Sequence, residues 1–205
     1  MALSNYNELK ASIADFLNRD DLTAVIPDFI KLAETQMSRD LRHWRQEDRA
    51  TALVDQQYAS LPLNFIEPIR VTIPANESHT LELVSTFEIS KLRAEASNKT
   101  GRPLNYAVLD QSFELFPTPD ADYTVELVYY ESIPELGTLT TNWVLTYFPD
   151  AYLYGSLMQS SPYLQEDQRV QVWNALYQNA VSAINLEGAS AKSSGSGRRI
   201  QIRSY

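Results

Sequence analysis

Three residues stand at a spacing that could hold a metal: Asp40, His43 and Glu47, at i, i+3 and i+7 of a helical stretch. Such offsets can share one helix face. A catalytic metal centre would need further ligands and an open position. A charged solvent face explains the trio equally simply, and that is the reading adopted, with no metal and no cofactor expected. Arg39, Arg42, Arg45 and Arg49 run through the same stretch and could line a nucleic-acid channel. They lie at a helix C-terminus beside Asp40, Glu47 and Asp48, so dipole and salt-bridge duty is expected instead. Glycoside hydrolysis needs two carboxylates flanking a sugar. With 26 acidic residues pairs abound, and nothing sets Glu114, Asp120 or Asp122 apart. Cysteine is absent, which removes disulfides, thiolate catalysis and Cys-based zinc sites. Only His43 and His79 could supply imidazole chemistry. No glycine-rich phosphate loop and no nucleophile elbow occurs. No catalytic residues are expected. Asn76 and Asn98 head glycosylation sequons, but the N-terminal residues have no basic region followed by an apolar one, so no secretory signal and no glycosylation are expected.

The sharpest local feature is the end of the chain, Arg198-Arg199-Ile200-Gln201-Ile202-Arg203-Ser204-Tyr205. Ile200 and Ile202 alternate with polar neighbours at the period of a strand. Residues 189–197 are rich in Ser, Gly and Ala and read as a flexible linker. A strand behind a linker can add to a partner's sheet edge or thread a groove. Arg198, Arg199, Ile200, Ile202, Arg203 and Tyr205 are the candidate binding residues.

The elements that would carry this tail follow from periodicity. A first helix is expected over 4–18, with Leu9, Ile13 and Leu17 on one face and Asn5-to-Glu8 as an approximate capping box. A second is expected over 25–44, its stripe running from Ile26 and Phe29 through Met37 and Leu41 to Trp44, with Pro27 in the first turn. The two should form an antiparallel hairpin. Residues 50–131 turn β-prone, in runs at 50–54, 58–61, 69–73, 81–84, 104–109, 112–116 and 123–131. Asp110-Gln111 suggests a tight hairpin. Tyr123, Val125, Leu127 and Tyr129 alternate as in a half-buried strand, and 86–95 reads as a short helix. Helices return at 143–147, from Pro149 to about residue 160, and over 165–186, with Gly188 as the C-terminal stop. The expected class is α+β: a helical-bundle core built from the N- and C-terminal helices, a β-rich insertion, and an extended C-terminal tail. The expected divisions are 1–49, 50–141, 142–188 and 189–205.

With 205 residues and 44% hydrophobic content the chain can bury a core. No apolar run approaches the roughly 20 residues of a membrane span. The net charge is −9, and it is split: residues 188–205 carry +4, leaving 13 basic and 26 acidic residues, net −13, in the rest. An acidic body would repel a phosphate backbone, which excludes a sequence-reading DNA-binding protein but allows one past which DNA slides. Tyr147, Tyr152, Tyr154, Tyr163 and Tyr177 suit either a core or a subunit interface. Tyr152, Tyr154, Met158 and Trp173 are the candidate interface residues, since the 149–160 helix is apolar on several sides.

The order of features resembles the head-to-tail adaptor (head completion, connector) proteins of tailed bacteriophages. The resemblance is carried by residues 6–22, 26–34 and 39–42. It continues through Gly101-Arg102-Pro103-Leu104-Asn105-Tyr106 and Tyr129-Tyr130-Glu131-Ser132-Ile133-Pro134-Glu135-Leu136, then residues 143–154, Tyr163-Leu164 and the helix bearing Trp173. It implies a non-enzymatic ring, typically of twelve subunits, docked beneath the portal protein. The C-terminal tail would enter the portal, a tail or nozzle protein would bind the far side, and DNA would pass without specific recognition. Such a protein is made in the host cytoplasm and resides at the head–tail junction of the virion. The alternatives are a tail-tube terminator or another virion ring, and a virion-associated peptidoglycan hydrolase using two carboxylates.

Overall fold

A computed structural model describes residues 3–74, 78–97, 99–164 and 168–193. The candidate sequon residues Asn76 and Asn98 lie outside them, as does the whole candidate binding segment 198–205. The protein is α+β: six α-helices and two four-stranded sheets among the described residues. It divides into two compact units, Met1–Gln46 with Ile133–Tyr205, and Glu47–Ser132.

The first unit is helical. Helix α1 spans Tyr6–Leu17 and starts where Asn5 Oδ1 accepts the Glu8 N–H at 3.0 Å. The Glu8 carboxylate reaches back to the Ser4 N–H at 2.9 Å, so the capping box is shared between Ser4 and Asn5. Helix α2 spans Ile26–Asp40, with Pro27 in its first turn. It is shorter than the sequence suggests, because Leu41 is extended (φ −93°, ψ 138°) although its side chain is still fully buried. Apolar spacing continues past the break because the core does, while the backbone has already left the helix. Trp44 therefore belongs to a separate 3₁₀ turn, Trp44–Gln46.

Helices α4 (Trp143–Tyr147) and α5 (Pro149–Gln159) follow the expected bounds closely. Pro149 opens α5 at a position that needs no N–H donor. Helix α5 packs against α1, α2, α4 and a last helix, α6 (Arg169–Ser193). That central position explains why Ala151, Tyr152, Leu153, Gly155, Ser156 and Leu157 are all buried. Gly155 allows a close approach there: a Cβ would lie 3.2 Å from Tyr177 Cε2 and 3.4 Å from Ala33 Cβ, where α2 and α6 both reach α5.

Two expectations are corrected in this unit. Helix α6 does not stop at Gly188 but continues to Ser193, so residues 189–193 are helix rather than linker. Gly188 marks a close approach instead: a Cβ would sit 3.1 Å from His43 Cδ2 and 3.2 Å from the Arg42 carbonyl oxygen. Residues 133–141, grouped with the β region by sequence, send Ile133 and Leu136 into the helical core.

The second unit contains the strands. Its first sheet has the order β1 (Glu47–Val54), β8 (Tyr123–Glu131), β3 (Phe65–Ile73), β4 (His79–Thr80). Its second has the order β2 (Tyr58–Ser60), β7 (Ser112–Phe116), β6 (Asn105–Leu109), β5 (Glu82–Leu83). The first and last long strands of the unit, β1 and β8, are antiparallel neighbours with Glu47 opposite Tyr130. Val125, Leu127 and Tyr129 are buried as their alternation requires, sharing a core with Val71 of the first sheet and Phe113 and Leu115 of the second. The two sheets thus face each other across one apolar layer. Helix α3 (Thr86–Glu95) has the bounds read from sequence and covers Ala107 and Phe116 with Ile89. Strands β6 and β7 join through Asp110-Gln111, with Asp110 in the left-handed region (φ 52°), which Asp tolerates and tight hairpins demand.

Candidate docking site

The candidate tail residues Arg198, Arg199, Ile200, Ile202, Arg203 and Tyr205 are outside the described residues, so the site is approached through the helix that carries them. Helix α6 lays Trp173, Tyr177, Ala180, Val181 and Ile184 on the core. Its N-terminal half is tied to α1, where Arg169 Nη1 donates to the Phe16 carbonyl at 3.2 Å. Its C-terminal half is locked to the end of α2. Asn185 Nδ2 donates to the Asp40 carbonyl at 2.9 Å, and Asn185 Oδ1 accepts the Arg42 N–H at 2.8 Å. Tyr177 Oη donates to Asp40 Oδ2 at 2.9 Å. Burial, then the Asp40 carboxylate, pushes the Tyr177 hydroxyl pKa upward. A single asparagine so satisfies the Asp40 carbonyl, one of those a helix end leaves without partners, and the N–H of Arg42, two residues beyond α2. Arg42 completes the end of α2, its Nη1 donating to the carbonyls of Ser38, Arg39 and Leu41 at 3.2, 3.2 and 2.7 Å. This is the helix-terminus duty expected for it.

Of the four arginines, only Arg42 caps the helix. Arg39 donates to Gln36 Oε1 at 2.8 Å. Arg45 stacks between Trp44 and Tyr147, 4.3 and 3.9 Å from their ring centroids. Arg49 sits on β1 and pairs with Glu126 at 3.2 Å, opposite Arg70 at the same distance.

The trio Asp40, His43 and Glu47 does not converge, and His43 does not lie on a solvent face. Asp40 accepts from Gln36 and Tyr177. His43 is fully buried, stacked on Trp143 at 5.2 Å between centroids and 17° between planes, with Phe148 edge-on at 5.8 Å. Its Nδ1 accepts the Arg45 N–H at 3.2 Å, which leaves the proton on Nε2, 3.9 Å from the Glu187 carboxylate of α6. Glu47 opens β1. Among the described residues no group of three His, Cys, Asp or Glu side chains could hold a metal ion.

Two buried polar clusters escaped the sequence. In the helical unit Glu34, only 4% exposed, accepts the Leu136 N–H at 2.8 Å and the Tyr152 hydroxyl at 3.1 Å. Asn142 Nδ2 donates to Tyr152 Oη at 2.5 Å and to the Pro134 carbonyl at 2.7 Å, while its Oδ1 caps α4 by accepting the Leu145 N–H at 3.0 Å. This network fastens residues 133–142 to α2 and α5. Burial raises the Glu34 carboxyl pKa, and the two hydrogen bonds it accepts pull the other way. Burial and the Glu34 charge both push the Tyr152 hydroxyl upward. In the β unit Tyr129 Oη lies 3.0 Å from Asp48 Oδ2 and 3.1 Å from Asn64 Oδ1, and Asn64 Nδ2 donates to Glu131 at 2.6 Å. Burial, then Asp48, pushes Tyr129 up to about 12, and burial followed by the Asp48 charge raises Glu131. Sequence alone sets Glu34 with Lys31 and Arg39 on the charged face of α2; its burial depends on Tyr152 and residues 133–142, far along the chain.

Two of the three acids weighed for hydrolysis, Glu114 and Asp120, are held in structural contacts, and Asp122 is exposed. Glu114 accepts from Gln57 Nε2 at 2.9 Å and pairs with Arg93 at 3.2 Å, and Arg93 also donates to the Leu115 carbonyl at 2.9 Å and Thr118 Oγ1 at 2.8 Å. Asp120 accepts the Tyr123 hydroxyl at 2.8 Å. A cavity of about 280 Å³ in the β unit is lined by residues such as Ala50, Val54, Ala59, Leu61, Phe113 and Val125, none of them ionisable. It could hold an apolar side chain but offers no acid or base.

The four candidate interface residues divide. Tyr152 and Trp173, at 0% and 5% exposure, are inside the core of their own chain, so a neighbour could reach them only by opening it. Tyr154 and Met158 are half-buried at the edge of that core.

A family model described as SU10 adaptor protein matches residues 4–200, nearly the whole chain. No curated protein matches the sequence.

Proposed function

The chain belongs to the SU10 adaptor protein family, and from that premise we propose that it is the subunit of a head-to-tail adaptor ring that docks to the portal through its C-terminal residues. Membership makes it a bacteriophage structural adaptor and a virion component, of a structural rather than enzymatic kind, and implies association with portal and tail proteins. The observation that carries the proposal is the match over residues 4–200, which includes both units and runs up to the Arg198-Arg199-Ile200 segment.

Three features support it. The acidic body, net −13 outside residues 188–205, suits a channel wall past which DNA moves without sticking. Helix α6, which precedes the basic end in sequence, is tied to the end of α2 through Asn185 and approaches it closely at Gly188. Tyr154 and Met158 remain at the surface of α5 for contact with a neighbour. Twelve copies, a portal-side tail, a tail or nozzle protein on the far side and a DNA passage form the complete proposal.

The test is removal of residues 194–205, which begins beyond the described end of α6. The shortened protein should fold and oligomerise like the full chain but lose binding to portal. Reversal of charge at Arg198, Arg199 and Arg203 should weaken binding in the same direction and flatten its dependence on salt. Undiminished portal binding by the shortened chain would refute the docking assignment.

A further inference from the structure

From Val170 to Leu186, helix α6 carries no Asp, Glu, Lys or Arg. One side of this stretch is the buried stripe of Trp173, Tyr177, Val181 and Ile184. The other side is exposed, and a surface helix ordinarily carries its charges there. Here it presents Val172, Leu176 and Leu186, which are 57%, 36% and 70% exposed. Between them lie only Gln, Asn, Ser and Ala. Val172 to Leu186 covers about 21 Å of helix at 1.5 Å per residue. Helix α6 thus has two apolar edges, and the described residues cover one of them.

A second uncharged surface lies in the same unit. Residues 137–149 also contain no charged side chain. They expose Leu139 at 47% and Tyr147 at 54%, together with Thr138, Thr140, Thr141 and Thr146. An uncharged cleft of about 390 Å³ opens there, lined by Asn5, Tyr6, Asn7, Gly137, Leu139 and Thr140. Arg45, over the ring of Tyr147, stands at the border of this surface.

We propose that the exposed face of α6, centred on Val172, Leu176 and Leu186, packs against the 138–147 surface of a second copy of this chain. The inference rests on the ring reading above and names the two patches that would close the ring. Copies of a chain carrying −9 repel one another wherever their charged surfaces meet. These two patches allow close approach without setting like charges together. Interface cores are depleted of charged residues in the same way. A nucleic-acid partner fits poorly, because the face has no cation to meet a phosphate. A ring contact must join two different patches of the same chain, and both are present in one unit.

The test uses the full-length protein, alone and with portal, with mass read by light scattering. The variant Leu176→Glu/Leu186→Glu places charges on exposed positions, so the fold should survive, as an unchanged fluorescence melt of the helical unit would verify. The expected result is a wild-type assembly of several chains and a variant that falls to the 23.3 kDa monomer. A variant that keeps the wild-type mass overturns the interface while leaving the ring reading standing. A wild-type protein that stays monomeric alone and binds portal as separate, non-contacting copies overturns the ring reading and this inference with it. Because the chain has no native cysteine, pairing is also readable directly. Val172→Cys with Thr146→Cys, treated with a flexible bismaleimide, should give a ladder of linked chains, and each single variant should give none. Linked dimers from Val172→Cys alone would show α6 meeting α6 and would overturn the pairing.

Discussion

The carboxylate of Glu34 makes a demanding test of the packing argument, because it is nearly inaccessible and serves two donors at once. Glu34→Ala would leave the Leu136 N–H and the Tyr152 hydroxyl, both now bonded to Glu34 Oε1, in a buried site with no acceptor. Each orphaned donor costs about 1–3 kcal/mol. Removing the acid also removes its own desolvation cost, so a net loss of about 2–4 kcal/mol is expected. All three tryptophans, Trp44, Trp143 and Trp173, lie in the helical unit. Tryptophan fluorescence during urea unfolding therefore reads that unit alone. With a urea slope of about 2 kcal/mol/M, the midpoint should fall by about 1–2 M. The partner variant Glu34→Gln keeps an acceptor and removes the titration. Because burial raises the folded carboxyl above its ordinary value of 4.5, the proton is held more tightly by the folded chain. Its contribution to stability is then fully present below pH 4.5 and lost as pH rises through the raised value. The wild-type midpoint should decline across that window, and the Gln variant should decline less. An Ala variant with an unshifted midpoint, or a Gln variant with the full wild-type pH dependence, would refute the account of this cluster.

Other expectations follow from close contacts elsewhere. Gly155→Leu drives a side chain into Tyr177 and Ala33, already 3.2 and 3.4 Å from the position of a Cβ, so the fluorescence melt of the helical unit should drop by an amount corresponding to about 2 kcal/mol or more; an unchanged melt would mean that α5 can move away. Arg93→Met strips Glu114, the Leu115 carbonyl and Thr118 Oγ1 of a shared donor whose side chain is 14% exposed, at a cost of about 3 kcal/mol. Amide exchange in β6 and β7 should accelerate accordingly, and unaltered protection there would show that the ion pair is dispensable.

Much of the architecture was legible because single residues announced it. Leu9, Ile13 and Leu17 repeat at helical spacing behind a capping Asn5, Pro149 marks the start of α5, and Val125, Leu127 and Tyr129 alternate along β8. These are local signals, and the buried side of each element follows from them. The misses share a cause in contacts distant along the chain. Leu41 stays in the core after the backbone has turned, so apolar spacing overruns the end of α2. Gly188 looks like a helix stop until Arg42 and His43 are placed beside it. His43, drawn as a solvent-facing member of an acidic cluster, is enclosed by Trp143 and Phe148, which come a hundred residues later. Residues 133–141 carry no periodicity and are held by Glu34, whose role depends on Tyr152 and Asn142. For the candidate site, composition identified the basic C-terminal segment. The fastening of its helix by Asn185 and Tyr177 is invisible without the fold.

The pairing of β1 with β8 has an architectural consequence. The β unit begins at Glu47 and ends just past Tyr130, residues that face each other across a strand pair, where Cα atoms are about 5 Å apart. The helical unit therefore hands the chain over and takes it back at almost the same point. A short turn could bridge that gap, and so could a cassette of another size, without pulling on any helix. In such a chain the length and decoration of the inserted module can drift freely while the helical frame stays as it is.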